Sequence, residues 1–239
     1  IRWAVVLIGA ELNEQPNKSF LTTLFLSIVN GSFWKPIFKR SSMRNKFVYL
    51  TENEAVKNNY ESYMQGIFAG KITCLPIGIT KVTKTLSMVE ARKYLNISMG
   101  RKVFLCFGSP HVGKDWEVIY KALKGLDNCI LLQAGNQRLK EESLAGQSAN
   151  TASYVKKYNV GHKVIIIDKY ISEAEKPYYF YASDAIILSY TKTFVSNASS
   201  LWEACRFELP MIVSDNGKLQ EIVSSYKLGL TFEAQNPNS

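Results

Sequence analysis

Residues 197–215 read NASSLWEACRFELPMIVSD. A small polar cluster, Asn197, Ser199 and Ser200, runs into the helical segment LWEAC. The turn Glu208-Leu209-Pro210 ends it, and Met211 to Val213 form a short apolar strand. Hydroxyls at the start of a helix are suited to capping it. The free N–H groups and positive dipole end there favour an anion such as a phosphate. The single carboxylate of the helix, Glu203, lies one turn further in. A helix that turns straight back into a buried strand is the repeating unit of a parallel α/β layer.

The same alternation extends upstream. Strands are expected at 103–107, 129–133, 164–167 and 185–188, with helices near 116–123, 152–158, 173–181, 199–206 and 218–225 between and after them. Residues 136–150 read as a polar loop. An earlier alternation gives strands at 3–8, 46–50 and 71–75. Helices are expected at 20–29 and 52–64, the latter opened by Thr51 and Glu54 as a capping box. Ser87 precedes a short helix, MVEARKYL. The expected fold is α/β with two Rossmann-like doubly wound domains. Residues 1–80 form an incomplete N-terminal domain, 81–99 a connection, and 100–239 a C-terminal domain. The chain opens on Ile1 and closes on Asn236-Pro237-Asn238-Ser239, which reads as a fragment.

Bulk properties narrow the field. The chain has 239 residues, of which 46% are hydrophobic and 21% charged, a balance that excludes a disordered segment. Its net charge of +9 is spread along the chain. No arginine-rich run or aromatic-basic motif points to nucleic acid. Two histidines, His111 and His162, are too few for a histidine-based metal centre. Cys74, Cys106, Cys129 and Cys205 lack paired spacing and read as reduced, buried thiols. The run FLTTLFLSIVNGSFWKPIFKR (20–40) is interrupted at Asn30-Gly31 and is too short to span a bilayer. Two readings stay open for it: a packed core helix, or an interfacial helix with a basic flank against a membrane face.

The candidate site residues all follow strands. Gly108 and Ser109, with Lys114 beyond, follow the first strand of the second half, and Gly135 follows the second. Lys169, Tyr170 and Ile171 follow the third. The loop 189–198, with Ser196 and Asn197, follows the fourth and leads into Ser199 and Ser200. Asp215 and Gly217 follow the fifth, with Glu221 beyond. In a parallel sheet such loops gather at one rim. Glycine admits a ligand close to the backbone, and lysine supplies a compact positive charge. A phosphate held there beside Glu203, with its reach to a ribose hydroxyl, implies a sugar-nucleotide pocket.

These segments resemble the group 1 (family 4) glycosyltransferases of the GT-B fold. FGSPHVGKDWEVIYKAL (107–123) is similar to the family's strand, glycine loop, lysine and helix. LLQAGN (131–136), ASDAIILSY (182–190) and WEACRFELPMIVSDNGKLQEIV (202–223) are similar to its later segments. YLTENEAVKNNYES (49–62) and KITCLPIGI (71–79) resemble the end of its acceptor-side domain, and MVEARKYLNI (88–97) the lead-in to its donor domain. Two positions depart: Val195 stands where the family often has its first glutamate, and Ser109 stands at its loop arginine. SNASS (196–200) resembles the variant with a Ser/Asn-rich loop.

The resemblance implies transfer of a hexosyl group, with retention, from a UDP- or GDP-linked sugar to a hydroxyl of a glycan or lipid-linked acceptor. It implies a role in cell-surface polysaccharide synthesis on the cytoplasmic side, with peripheral membrane contact. Lys114 would stabilise the leaving diphosphate, with backbone N–H groups near Gly108 and Ser199, and Glu203 would bind the ribose. Backbone at Lys169 to Ile171 would meet the base, and Glu221 would approach the donor sugar. No metal or cofactor beyond the donor is implied. The alternative is a non-catalytic nucleotide-binding remnant of the same fold. Asp184 reads as structural, and Glu221 has the competing reading of a helix-start carboxylate.

Overall fold

The computed structural model describes residues 3–7, 47–51, 57–58, 72–74, 79–82, 84–109, 113–136, 151–192, 194 and 198–238. The chain divides into two compact units, Ile1–Gly78 and Ile79–Ser239. In the first, β1 (Trp3–Leu7), β2 (Phe47–Thr51) and β3 (Ile72–Cys74) pair in parallel in that order. The expected helix at 20–29 and the 20–40 membrane reading lie outside the described residues, as does Glu54 of the expected capping box, while Thr51 closes β2.

The second unit carries six parallel strands: β4 (Lys102–Phe107), β5 (Cys129–Ala134), β6 (Val164–Ile167), β7 (Ala185–Leu188), β8 (Met211–Ser214) and β9 (Gly229–Phe232). Their order is β6-β5-β4-β7-β8-β9. Six α-helices accompany them among the described residues: α1 (Met88–Tyr94), α2 (Trp116–Gly125), α3 (Thr151–Tyr158), α4 (Lys176–Ala182), α5 (Ser199–Arg206) and α6 (Gly217–Ser225). The parallel pairing and crossover helices make this a doubly wound layer. Every residue of β5 is buried, and CILLQA is apolar except for Gln133, whose Oε1 accepts from the Tyr120 hydroxyl at 2.8 Å. Trp116, Ile119, Tyr120 and Leu123 give α2 one apolar stripe, packed with Cys106 and Leu131 on one side of the sheet. The other side buries Leu105, Ile186 and Val213 with Phe180, Leu201 and Ile222.

Local signals explain the helix starts. Ser87 and Glu90 form a reciprocal capping box on α1, with Glu90 N donating to Ser87 Oγ at 3.2 Å and Ser87 N to Glu90 Oε2 at 2.8 Å. Asp115 caps α2 by accepting from Val118 N at 3.2 Å. The segment 81–99, expected as a connection, belongs to the second unit, where Tyr94 stacks on Tyr178 with ring centroids 3.9 Å apart.

Two expectations are corrected. The helix expected from 173 begins at Lys176, because Ser172 to Glu175 form a turn and Pro177 sets the first helical turn. Strand β9 is additional: it is a four-residue edge strand with Leu230 71% exposed, so it carries no apolar run. Cys106, Cys129 and Cys205 are free thiols. Among the described residues no helix is long and apolar enough to cross a membrane.

Candidate functional site

Because all six strands run parallel, the loops leaving their carboxyl ends share a rim. The strand order reverses between β4 and β7, which opens a crevice there. Backbone contacts knit the rim. Gly108 N donates to Ala134 O at 2.9 Å, and Gly135 N to Ile167 O at 3.0 Å. Both glycines have positive φ, +91° and +147°. A Cβ on Gly135 would lie 2.6 Å from the Gly108 carbonyl carbon, so only glycine lets these loops meet.

The β4 and β7 loops are zipped across the reversal. Lys114 and Tyr190 form an isolated antiparallel bridge. Asp115 N donates to Ser189 O at 3.0 Å, Ser189 Oγ to Asp115 O at 3.1 Å, and Thr191 N to Gly113 O at 2.9 Å. Tyr190 is buried, stacked on Phe194 at 3.9 Å, and its phenol is hydrogen-bonded to Ser200. Burial pushes that phenol up to about 12. Asn216 Nδ2 holds the loop from the far side, donating to Thr191 O and Phe194 O at 2.8 Å each.

Lys114 sits under this zipper. Its Nζ donates to Phe107 O at 3.0 Å, lies 5.5 Å from the Trp116 ring centroid, and would be 3.9 Å from a Cβ on Gly108. Burial lowers its pKa, an effect only partly opposed by the neighbouring Cys106 thiol, itself pushed up to about 12 by burial. Among the described residues no carboxylate lies within 4.0 Å of this ammonium. A desolvated cation held by a carbonyl and a π-face is matched to an incoming anion.

The other expected residues fall out as follows. Ser199 and Ser200 open α5, but the N-cap is Ala198 and no side chain caps the helix. The expected hydroxyl cap is therefore corrected: the extended cap position falls on alanine, and the Ser200 hydroxyl is engaged by Tyr190. Ser196, Asn197, Val195 and His111 lie outside the described residues. Ser109 is exposed beside Gly108. Lys169 pairs with Glu175, Tyr170 is 78% exposed, and the Ile171 side chain is in the core, which leaves its backbone alone to face a ligand. Glu221 is exposed and pairs with Lys218 at 2.5 Å. It is the fifth residue of α6, past the first turn, so the helix-start reading is corrected.

Glu203 lies one turn from Ser200 on α5, which places it near the zipped loops. Its Oε1 takes Lys176 Nζ at 2.6 Å and its Oε2 takes Arg206 NH1 at 3.4 Å. Glu173 pairs with the same two cations, meeting Arg206 at 2.7 Å. Lys176, Arg206, Glu173 and Tyr190 were not singled out by sequence. The i,i+3 spacings Glu173/Lys176 and Glu203/Arg206 were the available signal. Asp184 precedes β7 at the opposite rim and accepts from Arg92, Lys102 and Val103 N, in keeping with a structural role.

A doubly wound layer of six parallel strands whose order reverses between β4 and β7 defines a Rossmann-like domain. The chain belongs to the glycosyl transferases group 1, whose family pattern matches residues 88–239. No curated protein matches it by sequence. Among solved structures it is similar to the sucrose-phosphate synthase of Thermosynechococcus elongatus, with TM-score 0.71 and 20% identity over 100% of this chain and 56% of that one. It is also similar to WaaG, a glycosyltransferase involved in lipopolysaccharide biosynthesis (TM-score 0.69, 15% identity, 97% of this chain and 62% of that one). Anabaena Alr3699/HepE, solved in complex with UDP and glucose, gives 0.70 and 14% over 99% and 59%. At such identities the likeness shows the GT-B fold. The chain spans 56% to 62% of the lengths of these structures.

Proposed function

We propose that this chain carries the donor site of a glycosyltransferase that moves a sugar from a UDP- or GDP-linked donor to a hydroxyl of a glycan or lipid-linked acceptor. The observation that carries the reading is Lys114: a half-buried lysine whose ammonium has no carboxylate partner among the described residues, fixed where the strand order reverses. Such a cation stabilises charge growing on a departing diphosphate. Glu203 takes the ribose, and backbone at Lys169 to Ile171 meets the base. Ser196, Asn197, Ser199 and Ser200 line the phosphate side, with Gly108, Ser109 and Gly135 beneath, and Glu221 lies toward the sugar. The reaction needs no cofactor besides the donor. Retention of the anomer, a hexosyl donor, a cytoplasmic location at the membrane inner face and a place in cell-surface polysaccharide synthesis complete the reading.

The test pairs binding with turnover. UDP or GDP at about 100 times Kd is expected to raise Tm by roughly 5–10 °C. Transfer from UDP- or GDP-sugars is expected to be lost in Lys114→Ala and Glu203→Ala. Unchanged turnover in both variants removes the site assignment. Stabilisation by nucleotide without product from any donor favours the non-catalytic remnant.

A further inference from the structure

Four charged side chains meet where the loop after β6 packs on α5. Lys176 bridges Glu173 and Glu203, and Arg206 bridges the same two carboxylates. The result is a closed square of alternating charge, two cations and two anions. The Lys176 and Arg206 side chains are only 12% and 11% exposed. Lysine and arginine are seldom buried this far unless paired, so the square is a fixed element of the fold. Burial pulls the Lys176 pKa down, yet its two carboxylate partners leave it raised. Hydrogen bonding to Arg206 and Lys176 holds the Glu173 carboxyl low.

Within the square, the two Glu203 oxygens differ. Oε1 is held at 2.6 Å by Lys176, whereas Oε2 meets Arg206 at only 3.4 Å. The close contact fixes the carboxylate's orientation. The looser oxygen keeps acceptor capacity for hydroxyl donors. A ribose diol is neutral, so its binding adds no charge to the balanced square. A phosphate would unbalance it. The far corner, Glu173, belongs to the turn that also holds the Lys169–Glu175 pair and the Ser172 bonds to Glu175, with N and Oγ at 3.1 and 2.8 Å. The segment after β6 is thus anchored to the helix that bears Glu203.

We infer that Lys176 and Arg206 are positioning residues of the donor site, orienting Glu203 toward a ribose diol, and that Glu173 ties the base-facing loop 168–175 to the same carboxylate. The inference rests on the proposed role of Glu203. Lys176 and Arg206 act through Glu203 and make no contact with the diphosphate.

The experiment compares UDP and GDP with their 2′,3′-dideoxy forms by titration calorimetry on the wild-type chain and on Lys176→Met, Arg206→Met, Glu173→Gln and Lys176→Arg. The wild type is expected to prefer the ribose form by about tenfold or more, the usual worth of hydrogen bonds to a charged group. Lys176→Met and Arg206→Met are expected to reduce that preference to roughly threefold or less. Their affinity for the dideoxy form should stay within about twofold of wild type. Lys176→Arg should keep the preference, and Glu173→Gln should weaken both forms together through the loop. A wild-type preference that survives intact in Lys176→Met overturns the inference and leaves the donor-site reading standing. Equal loss of both forms in that variant also overturns it, since it marks a diphosphate contact. Failure of the wild type to bind either nucleotide removes the donor-site reading and the inference together. A double-mutant cycle of Lys176→Met and Glu203→Gln in thermal stability reports on the square without ligand, and absence of coupling there overturns the inference by itself.

Discussion

Lys114 and Tyr190 face each other in a single antiparallel bridge at the place in the six-stranded sheet where strand order reverses. The two loops diverge toward opposite halves of the sheet, and this bridge with the Asp115–Ser189 and Gly113–Thr191 bonds keeps them in register. Tyr190 passes the constraint to α5 through Ser200. One continuous path of contacts therefore links the half-buried Lys114 to the helix of Glu203.

Lys114→Met tests whether that cation is retained for binding. Burial lowers the pKa of Lys114, so the folded state disfavours its charge relative to the unfolded chain. Methionine keeps the bulk and removes the charge. We expect stability at neutral pH to be unchanged or raised by up to about 1 kcal/mol, roughly 2–4 °C in Tm. UDP or GDP affinity should fall about tenfold or more. The sign with pH follows from linkage: wild-type stability gains on that of Lys114→Met as pH rises from the lowered folded value toward 10.5. Thermal melts across pH 7 to 10 check this, and a variant destabilised by more than about 1 kcal/mol contradicts it.

The two rim glycines separate strain from collision. Both have positive φ, but a Cβ on Gly108 meets only Lys114 Nζ at 3.9 Å, whereas one on Gly135 meets the Gly108 carbonyl oxygen at 2.7 Å. Gly108→Ala is expected to cost about 1 kcal/mol, the strain term alone. Gly135→Ala adds backbone displacement and should cost about 3 kcal/mol, with loss of nucleotide binding as the loops part. Urea unfolding of the two variants decides it. Equal costs would mean that the rim yields freely.

Much of this fold was legible because central parallel strands are covered on both sides and must read as apolar runs; β5 and β7 show it most plainly. Edge strand β9 escaped because its residues face solvent. The rim positions of Gly108, Gly135 and Lys114 were legible because each follows the end of an apolar strand. It was not legible where partners lie far apart in sequence. Nothing periodic announces that Lys176 meets Glu203, 27 residues on. The expected hydroxyl cap of α5 is absent, since the extended cap backbone falls on Ala198 rather than on a neighbouring polar side chain.

Helix α5 ends on a residue that its geometry disfavours. Leu209 N donates to Ala204 O at 2.9 Å and Glu208 N to Cys205 O at 3.2 Å, the paired bonds of a Schellman motif. Its left-handed position, usually glycine, is Glu208 at φ 55°. The side chain is exposed. Glu208→Gly is expected to raise stability by about 0.5–1 kcal/mol, the steric relief less the added freedom of the unfolded chain. Nucleotide affinity should not change. A loss of stability in urea unfolding would show that Glu208 makes a compensating interaction.

Asp184 anchors the rim opposite the site, and its titration gives a prediction with a fixed sign. Oδ2 accepts from Arg92 at 2.7 Å and from Val103 N at 2.8 Å, and Oδ1 from Lys102 at 3.1 Å. Arg92, 2% exposed, also donates to the carbonyls of Ala182, Met99 and Arg101 at 2.9, 3.1 and 2.9 Å. Burial pushes the Asp184 carboxyl up, but Val103 N, Lys102 and Arg92 pull it further down, so it lies below its ordinary 3.8. A depressed carboxyl stabilises the fold fully above its unfolded value, and that contribution disappears as pH falls through the folded value. Asp184→Asn leaves the Arg92 charge buried without a counter-charge from this position and should cost about 3 kcal/mol at pH 7. The gap from wild type is expected to hold down to about pH 4 and to narrow below it. Urea unfolding at pH 7, 5 and 3 measures the gap directly. A gap of equal size at all three would mean that Asp184 supports Arg92 through shape and hydrogen bonds rather than through charge.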